Sequence, residues 1–136
     1  MTLIVDSYAW VEFLSAGEFG PQVRAHFEES GDLLTPDIVL AEISRKLSKA
    51  GLDRSVIEGH LRAMVALSTV VSVDLAIALE VPLADADLRR GAAHRRLASP
   101  SFADAIILAT ARKTRASVLT GDRHFQGLPE TVWLGA

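Results

Sequence analysis

Residues 102–122 read FADAIILATARKTRASVLTGD and join a helical pattern to a short apolar run. The helical pattern covers Phe102–Thr114, and the run Ser117–Thr120 has the length and β-branched content of a buried parallel strand. A helix that precedes a parallel strand runs antiparallel to it, so the start of the helix and the end of the strand share one edge of the sheet. A carboxylate stands at each of these positions: Asp104 in the first helical turn and Asp122 after the strand.

The same alternation of strands and helices extends through the rest of the chain. Three further apolar runs predict buried strands and a fourth predicts a short edge strand: Leu3–Val5, Leu33–Thr35, Val70–Val73 and Val132–Leu134. Helical patterns lie between them: Tyr8–Leu14, Pro21–Glu29, Asp37–Lys49, Arg54–Leu67, Leu75–Glu80 and Leu83–Arg96. This alternation predicts an α/β fold, a three-layer α/β/α sandwich around a mostly parallel sheet. No repeat or linker divides the sequence, so we expect one domain over residues 1–136.

Composition excludes several classes of protein. Of 136 residues, 49% are hydrophobic and 23% charged, which excludes the composition of disordered chains. The longest uncharged stretch, residues 63–73, is too short to span a bilayer, so no membrane partner is expected. The first residues reach Asp6 before the apolar region of a signal peptide develops, and the absence of cysteine excludes disulfides and thiolate metal sites. We therefore expect a cytoplasmic protein.

Charge is unevenly distributed along the sequence. The net charge is −3, yet eight of the 14 Lys and Arg residues lie between Arg89 and Arg123, whereas 14 of the 17 acids lie in the first 88 residues. Taken alone, the run Arg89, Arg90, Arg95 and Arg96 is typical of a solvated helix face.

Four carboxylates are predicted to meet at the carboxyl edge of the sheet, where open α/β sheets bind their ligands. Asp6 follows the first strand directly, and Glu42 lies about five residues into the helix after the second, roughly 7–8 Å along it. They join Asp104 and Asp122.

Each of the four acids also has an ordinary structural interpretation: Asp6 caps the first helix, Ser101 and Asp104 form a capping box, Glu42 pairs with Lys46, and Asp122 belongs to a turn. Together they favour a metal site, because four clustered carboxylates raise one another's pKa unless a cation is bound. Oxygen ligands alone suit Mg²⁺ or Mn²⁺, which commonly serve phosphoryl transfer. The four histidines show no paired spacing, and we assign them no chemistry.

Four segments of the sequence resemble, in order and spacing, the signature segments of PIN domains: Val5–Trp10, Leu40–Ile43, Phe102–Ala111 and Leu119–Phe125. The resemblance covers nearly the whole chain, and its length is most similar to the VapC toxins of type II toxin-antitoxin pairs. It implies a Mg²⁺- or Mn²⁺-dependent endoribonuclease whose acidic quartet is Asp6, Glu42, Asp104 and Asp122. It also places two hydroxyl residues, Ser7 and Thr120, beside the site.

The implied mechanism is attack of a metal-activated water on an RNA phosphodiester, with Asp6 and Asp104 as direct ligands and Glu42 and Asp122 acting directly or through water. An acidic site needs nearby cations to bind RNA, and the candidates are Arg89, Arg90, Arg95, Arg96 and Arg123. Arg112, Lys113 and Arg115 are instead assigned to the dipole at a helix C-terminus.

The resemblance further implies a cognate antitoxin that covers the groove, and a homodimer. Tyr8, Trp10 and Phe13 fit either a core or a partner surface. An inactive PIN-like protein-binding module is the alternative function. A phospho-acceptor receiver domain and a haloacid dehalogenase-type phosphatase fit less well, because the sequence lacks the late Lys of the first and the Asp-x-Asp of the second.

Overall fold

A parallel sheet of five strands forms the centre of the molecule in the computed structural model, which describes residues 1–135. The strands are β1 (Thr2–Val5), β2 (Asp32–Pro36), β3 (Thr69–Val71), β4 (Ser117–Thr120) and β5 (Thr131–Trp133). Their order in the sheet is β3-β2-β1-β4-β5, and every neighbouring pair is parallel. The predicted α/β fold class is confirmed, and the predicted last strand forms the edge one residue earlier than expected.

Six α-helices connect the strands: α1 (Ser7–Leu14), α2 (Gly20–Glu29), α3 (Asp37–Lys49), α4 (Arg54–Leu67), α5 (Leu75–His94) and α6 (Phe102–Thr114). The chain moves outward from β1 to β3 and then returns across the sheet to β4. Right-handed crossovers therefore place α1 to α4 on one face of the sheet and α5 and α6 on the other. The direction reverses between β1 and β4, which makes the crevice between their carboxyl ends the expected ligand site of such a sheet.

Part of the hydrophobic core lies between the sheet and α6. Leu3, Ile4 and Val5 of β1 are buried, and so is every residue of α6 from Asp104 to Ala111. A helix that is buried on all sides needs apolar residues on all sides, which the segment Ala105–Ala111 provides. This packing holds the start of α6, and with it Asp104, rigidly against the sheet edge.

The helix α5 is longer than either of the two helices predicted for this segment. The sequence predicted separate helices over Leu75–Glu80 and Leu83–Arg96, but the structure forms one continuous helix with Pro82 inside it. Proline removes one intrahelical hydrogen bond, and Ile77, Ala84 and Leu88 on either side of it are buried. Tertiary packing therefore outweighs the local cost.

Trp10 is fully buried, and its indole N–H donates to the Thr35 hydroxyl at 3.1 Å. Its ring packs edge-on against Phe13 and Phe27 at centroid distances of 5.8 and 5.3 Å. The sequence left open whether Tyr8, Trp10 and Phe13 belong to the core or to a partner surface, and the structure places Trp10 in the core.

Among the described residues, no helix combines the length and apolar character needed to cross a membrane.

Candidate metal centre

The four predicted acids lie at the carboxyl edge of the sheet, around the crevice between β1 and β4. Asp6 follows β1, Asp122 follows β4 after one glycine, Asp104 lies in the first turn of α6, and Glu42 lies in α3. Their charges act on one another: Asp104 and Asp122 raise the pKa of both Asp6 and Glu42, and Asp122 also raises the pKa of Asp104.

Asp6 is the most deeply placed of the four, with 3% of its surface exposed. It also caps α1, since Oδ1 accepts a hydrogen bond of 2.9 Å from the Ala9 backbone N–H. Capping normally favours the charged form of a carboxylate, but burial is the larger effect here and raises the pKa of Asp6 to about 7. Asp6 therefore caps α1, as its structural interpretation predicts, and it also lies close enough to Asp104 and Asp122 for their charges to raise its pKa.

Thr120 connects two of the acids. This fully buried hydroxyl accepts a hydrogen bond of 2.9 Å from the Asp122 backbone N–H, and its own interaction with Asp6 favours the charged form of that carboxylate and so lowers its pKa. The hydroxyl predicted beside the site is therefore in contact with it.

Asp104 forms the predicted capping box with Ser101. The Ser101 N–H donates to Asp104 Oδ2 at 3.0 Å, and the Asp104 N–H donates to Ser101 Oγ at 3.1 Å. Burial raises the pKa of Asp104, although the Ser101 hydrogen bonds oppose this shift. Within residues 1–135, Oδ1 of Asp104 accepts no hydrogen bond, so the cap occupies one oxygen and leaves the other available.

Glu42 does not form the ion pair with Lys46 that the sequence spacing predicts. Lys46 reaches across to α1 instead, where its ammonium group donates to the Ser7 hydroxyl at 3.3 Å. Glu42 Oε1 is buried and has no hydrogen-bond partner in the described part of the chain. Burial raises the pKa of Glu42, and the charge of Lys46 partly offsets the rise. A buried carboxylate oxygen without a partner is costly unless a ligand completes it.

His124 is a site residue that the sequence analysis missed. Asp122 Oδ1 accepts from the His124 backbone N–H at 2.9 Å and lies 3.0 Å from His124 Nδ1, while His124 Nε2 lies 2.7 Å from the Ala98 carbonyl. Burial lowers the pKa of His124, but these two acceptors outweigh it and the net shift is upward. Asp104, Asp122 and His124 each offer one ligand atom within 4.8 Å of the others. The spacing Asp-x-His was the available signal, and a single histidine was too weak to use.

The five arginines predicted to bind RNA are placed differently from one another. Arg89 and Arg90 lie on α5 and pair with Asp85 and Asp87 of the same helix at 2.8 and 2.9 Å. Arg96 and Arg123 are exposed. The Arg95 guanidinium is bonded to backbone carbonyls near the site.

Arg112 forms ion pairs, a role beyond the helix-dipole compensation assigned to it. Its guanidinium contacts Glu80, Asp87 and Glu130 at 3.2, 2.8 and 3.1 Å, which ties α6 to α5 and to the segment before β5. These ion pairs occupy the guanidinium group of Arg112.

Comparison with known proteins identifies the family and the fold of the chain. A family model described as PIN domain matches residues 3–130. A chain of a toxin-antitoxin complex from Klebsiella pneumoniae has a TM-score of 0.70 at 21% identity, over 96% of this chain and 95% of that one. VapC20 from Mycobacterium tuberculosis, described as a toxin that cleaves the sarcin-ricin loop, has a TM-score of 0.71 at 21% identity, over 98% and 99%. FitAcB from Neisseria gonorrhoeae has a TM-score of 0.65 at 21% identity, over 96% of each chain. At these identities the likeness establishes a shared fold. The comparison with curated protein sequences gives no match.

Proposed function

The chain belongs to the PIN-domain family, and on that basis we propose that it is a Mg²⁺- or Mn²⁺-dependent endoribonuclease, the toxin of a type II toxin-antitoxin pair. One observation carries the proposal: four carboxylates, three of them with a pKa raised by burial, converge at the crevice where this sheet topology binds ligands.

The donor set fits a hard divalent cation. All four acids offer oxygen, and Mg²⁺ and Mn²⁺ prefer carboxylate ligands. The partnerless Oε1 of Glu42 is the kind of buried atom that a bound cation would complete. Asp6 and Asp104 are proposed as direct ligands, and Glu42 and Asp122 as ligands directly or through water. When bound, the cation supplies an activated water and stabilises charge on the phosphate.

The chain itself supplies orientation and charge balance. The Ala9 N–H donates to one oxygen of Asp6, and the Ser101 N–H donates to one oxygen of Asp104. These hydrogen bonds fix the rotation of both carboxylates. Each ring nitrogen of His124 faces an oxygen acceptor, Asp122 Oδ1 on one side and the Ala98 carbonyl on the other. Because only the protonated ring donates from both nitrogens, His124 is assigned as a cation that offsets the charge of Asp122. The exposed guanidinium groups of Arg89, Arg90, Arg96 and Arg123 are proposed to hold RNA phosphates beside the acids.

A cognate antitoxin is proposed as the protein partner. The solved relatives include toxin-antitoxin complexes. An apolar groove of about 450 Å³ lies between α1 and α3, lined by Val11, Leu14, Ile43 and Leu47, and by Lys46, which contacts Ser7. A partner segment in this groove would reach the site and cover it.

A homodimer is also proposed. Leu75, Leu79 and Leu83 form a row on α5 and are 76%, 69% and 61% exposed, a continuous apolar surface that favours association. Sedimentation velocity should give twice the chain mass of 14.6 kDa, and Leu79→Glu should give the mass of one chain.

The proposed activity is tested by incubating the purified chain with structured RNAs in Mn²⁺ and in EDTA, beside Asp104→Asn and the matched control Asp53→Asn. Asp53 also takes part in a helix cap, as the N-cap of α4, but it is exposed. We expect cleavage by the wild type and by Asp53→Asn in Mn²⁺ only, and none by Asp104→Asn. Equal cleavage by all three proteins identifies a contaminating nuclease. Absence of both cleavage and Mn²⁺ binding favours the inactive protein-binding module.

A further inference from the structure

Asp122 differs from the other three acids in the kind of backbone that carries it. Asp6 and Asp104 lie at the ends of a central strand and a buried helix, and Glu42 lies within a helix. Asp122 lies in the connection between β4 and β5, just before a single 3₁₀ turn, Arg123–Phe125. Because such a turn is short and poorly hydrogen-bonded, the position of Asp122 depends on contacts from outside it.

Arg95 supplies three of these contacts. It is the C-cap residue that follows α5, and its guanidinium donates to the Arg123 carbonyl at 2.7 Å and to the Gln126 carbonyl at 2.7 and 2.6 Å. These carbonyls belong to the first residue of the 3₁₀ turn and to the residue that follows it. A planar guanidinium is suited to bridging two acceptors in a fixed orientation, which a lysine ammonium group is not.

A second contact with the 3₁₀ turn comes from Ala98, which, like Arg95, lies in the connection between α5 and α6. The Ala98 carbonyl lies 2.7 Å from His124 Nε2, and the other ring nitrogen of His124 faces Asp122 Oδ1 at 3.0 Å. The buried ring of Phe125 anchors the turn from beneath. The segment between α5 and α6 therefore holds the turn at its two ends through Arg95 and at its centre through His124.

We infer that Arg95 is a positioning residue for the Asp122 carboxylate, and that it serves the metal site and not RNA binding. The inference rests on the proposed function and gives Arg95 a different role from the other four arginines. Its guanidinium already donates three short hydrogen bonds, and releasing them for a phosphate would release the Asp122 turn. Metal sites need their ligands held within about 0.5 Å of the productive geometry. Loss of the three Arg95 hydrogen bonds should therefore weaken metal binding before it weakens RNA binding.

The first test measures Mn²⁺ affinity of the full-length chain without RNA, by calorimetry or electron paramagnetic resonance, for the wild type, Arg95→Gln and Arg96→Gln. Arg96 is the matched control, because it is the adjacent exposed arginine and its side chain forms no hydrogen bond or ion pair with the described residues. We expect Arg95→Gln to weaken Mn²⁺ binding about tenfold or more, as loss of a group supporting a metal ligand does. Arg96→Gln should leave Mn²⁺ affinity unchanged.

A double-mutant cycle separates positioning from general stability. In an Asp122→Asn background, Arg95→Gln should weaken Mn²⁺ binding by less than twofold, because the carboxylate that Arg95 positions is already gone. If Arg95→Gln does not fold, Arg95→Lys takes its place in the cycle: it keeps the charge, loses the bridging geometry, and should still weaken Mn²⁺ binding.

The opposite pattern overturns the inference. Arg95→Gln with wild-type Mn²⁺ affinity and weakened RNA binding in EDTA makes Arg95 an RNA-binding residue, while cleavage by the wild type leaves the proposed function intact. Conversely, weakened Mn²⁺ binding in Arg95→Gln without any cleavage by the wild type supports the positioning role and rejects the nuclease. A wild type that binds no Mn²⁺ overturns both.

Discussion

Replacement of Asp6 by asparagine should stabilise the metal-free protein, and increasingly so as the pH rises. The pKa of Asp6 in the folded protein is about 7, against an unfolded value of 3.8, because burial disfavours the charged form. Between these values the folded protein holds a proton that the unfolded chain releases, so the free energy of unfolding falls as the pH rises. The stability supplied by neutral Asp6 is fully present below about pH 4 and is lost as the pH rises to about 7.

The expected size follows from the burial of this group. A rise in pKa from 3.8 to about 7 corresponds to about 4 kcal/mol, since each tenfold change in the dissociation constant corresponds to about 1.4 kcal/mol. Asp6→Asn removes the charge and keeps the oxygen that caps α1 through the Ala9 N–H. Its advantage over the wild type should therefore grow from about 2 kcal/mol at pH 5 to about 4 kcal/mol at pH 8.5.

Urea unfolding in EDTA between pH 5 and 8.5 measures this difference directly, with Asp53→Asn as the control. Asp53 caps α4 in the same way, through the Val56 N–H, but it is exposed and hydrogen bonding lowers its pKa. Its replacement should not stabilise the protein at high pH. A stability difference for Asp6→Asn that stays constant across the pH range, or a less stable Asp6→Asn protein at pH 8, would refute the reasoning.

Three further variants test other parts of the structure. Glu42→Gln should weaken Mn²⁺ binding at least about tenfold in a calorimetric titration and raise metal-free stability at pH 8, because the pKa of Glu42 is raised by burial; unchanged Mn²⁺ affinity would remove Glu42 from the site. Arg112→Leu should cost about 3 kcal/mol in urea unfolding, because it removes three ion pairs and leaves Glu130 without a partner, while Glu80 keeps Lys113 and Asp87 keeps Arg90; Mn²⁺ affinity should be unchanged, and a loss below about 1 kcal/mol would contradict the role of Arg112 in tying α6 to α5. Pro82→Ala should raise stability by about 2 kcal/mol, because α5 is continuous through this exposed proline; lower thermal stability would show that proline is required there.

The layered fold and the edge that carries the acids were predictable because both depend on local pattern. Buried strands need short β-branched runs, helices need apolar spacing of three and four residues, and parallel strands bring their carboxyl ends to one edge. These rules placed Asp6, Asp104 and Asp122 around one crevice without knowledge of any contact. The capping roles of Asp6 and Asp104 were also predictable, because each cap involves residues only three positions apart.

The errors and omissions concern interactions between residues distant in sequence. Pro82 is a helix breaker by local preference, and only the burial of α5 against α6 shows that the helix continues. Arg95 and Arg96 are adjacent and chemically identical, yet one guanidinium holds carbonyls 28 and 31 residues away and the other is exposed. Lys46 is spaced for a pair with Glu42 but contacts Ser7, 39 positions away.

Local pattern thus determined which residues are strands, helices and caps, and which edge of the sheet carries the carboxylates, because spacing in a sequence sets the direction of a side chain. Tertiary packing decided what each charged group contacts and how strongly burial raises the pKa of Asp6, Glu42 and Asp104. Desolvation depends on every element that surrounds a carboxylate, and those elements come from all parts of the chain.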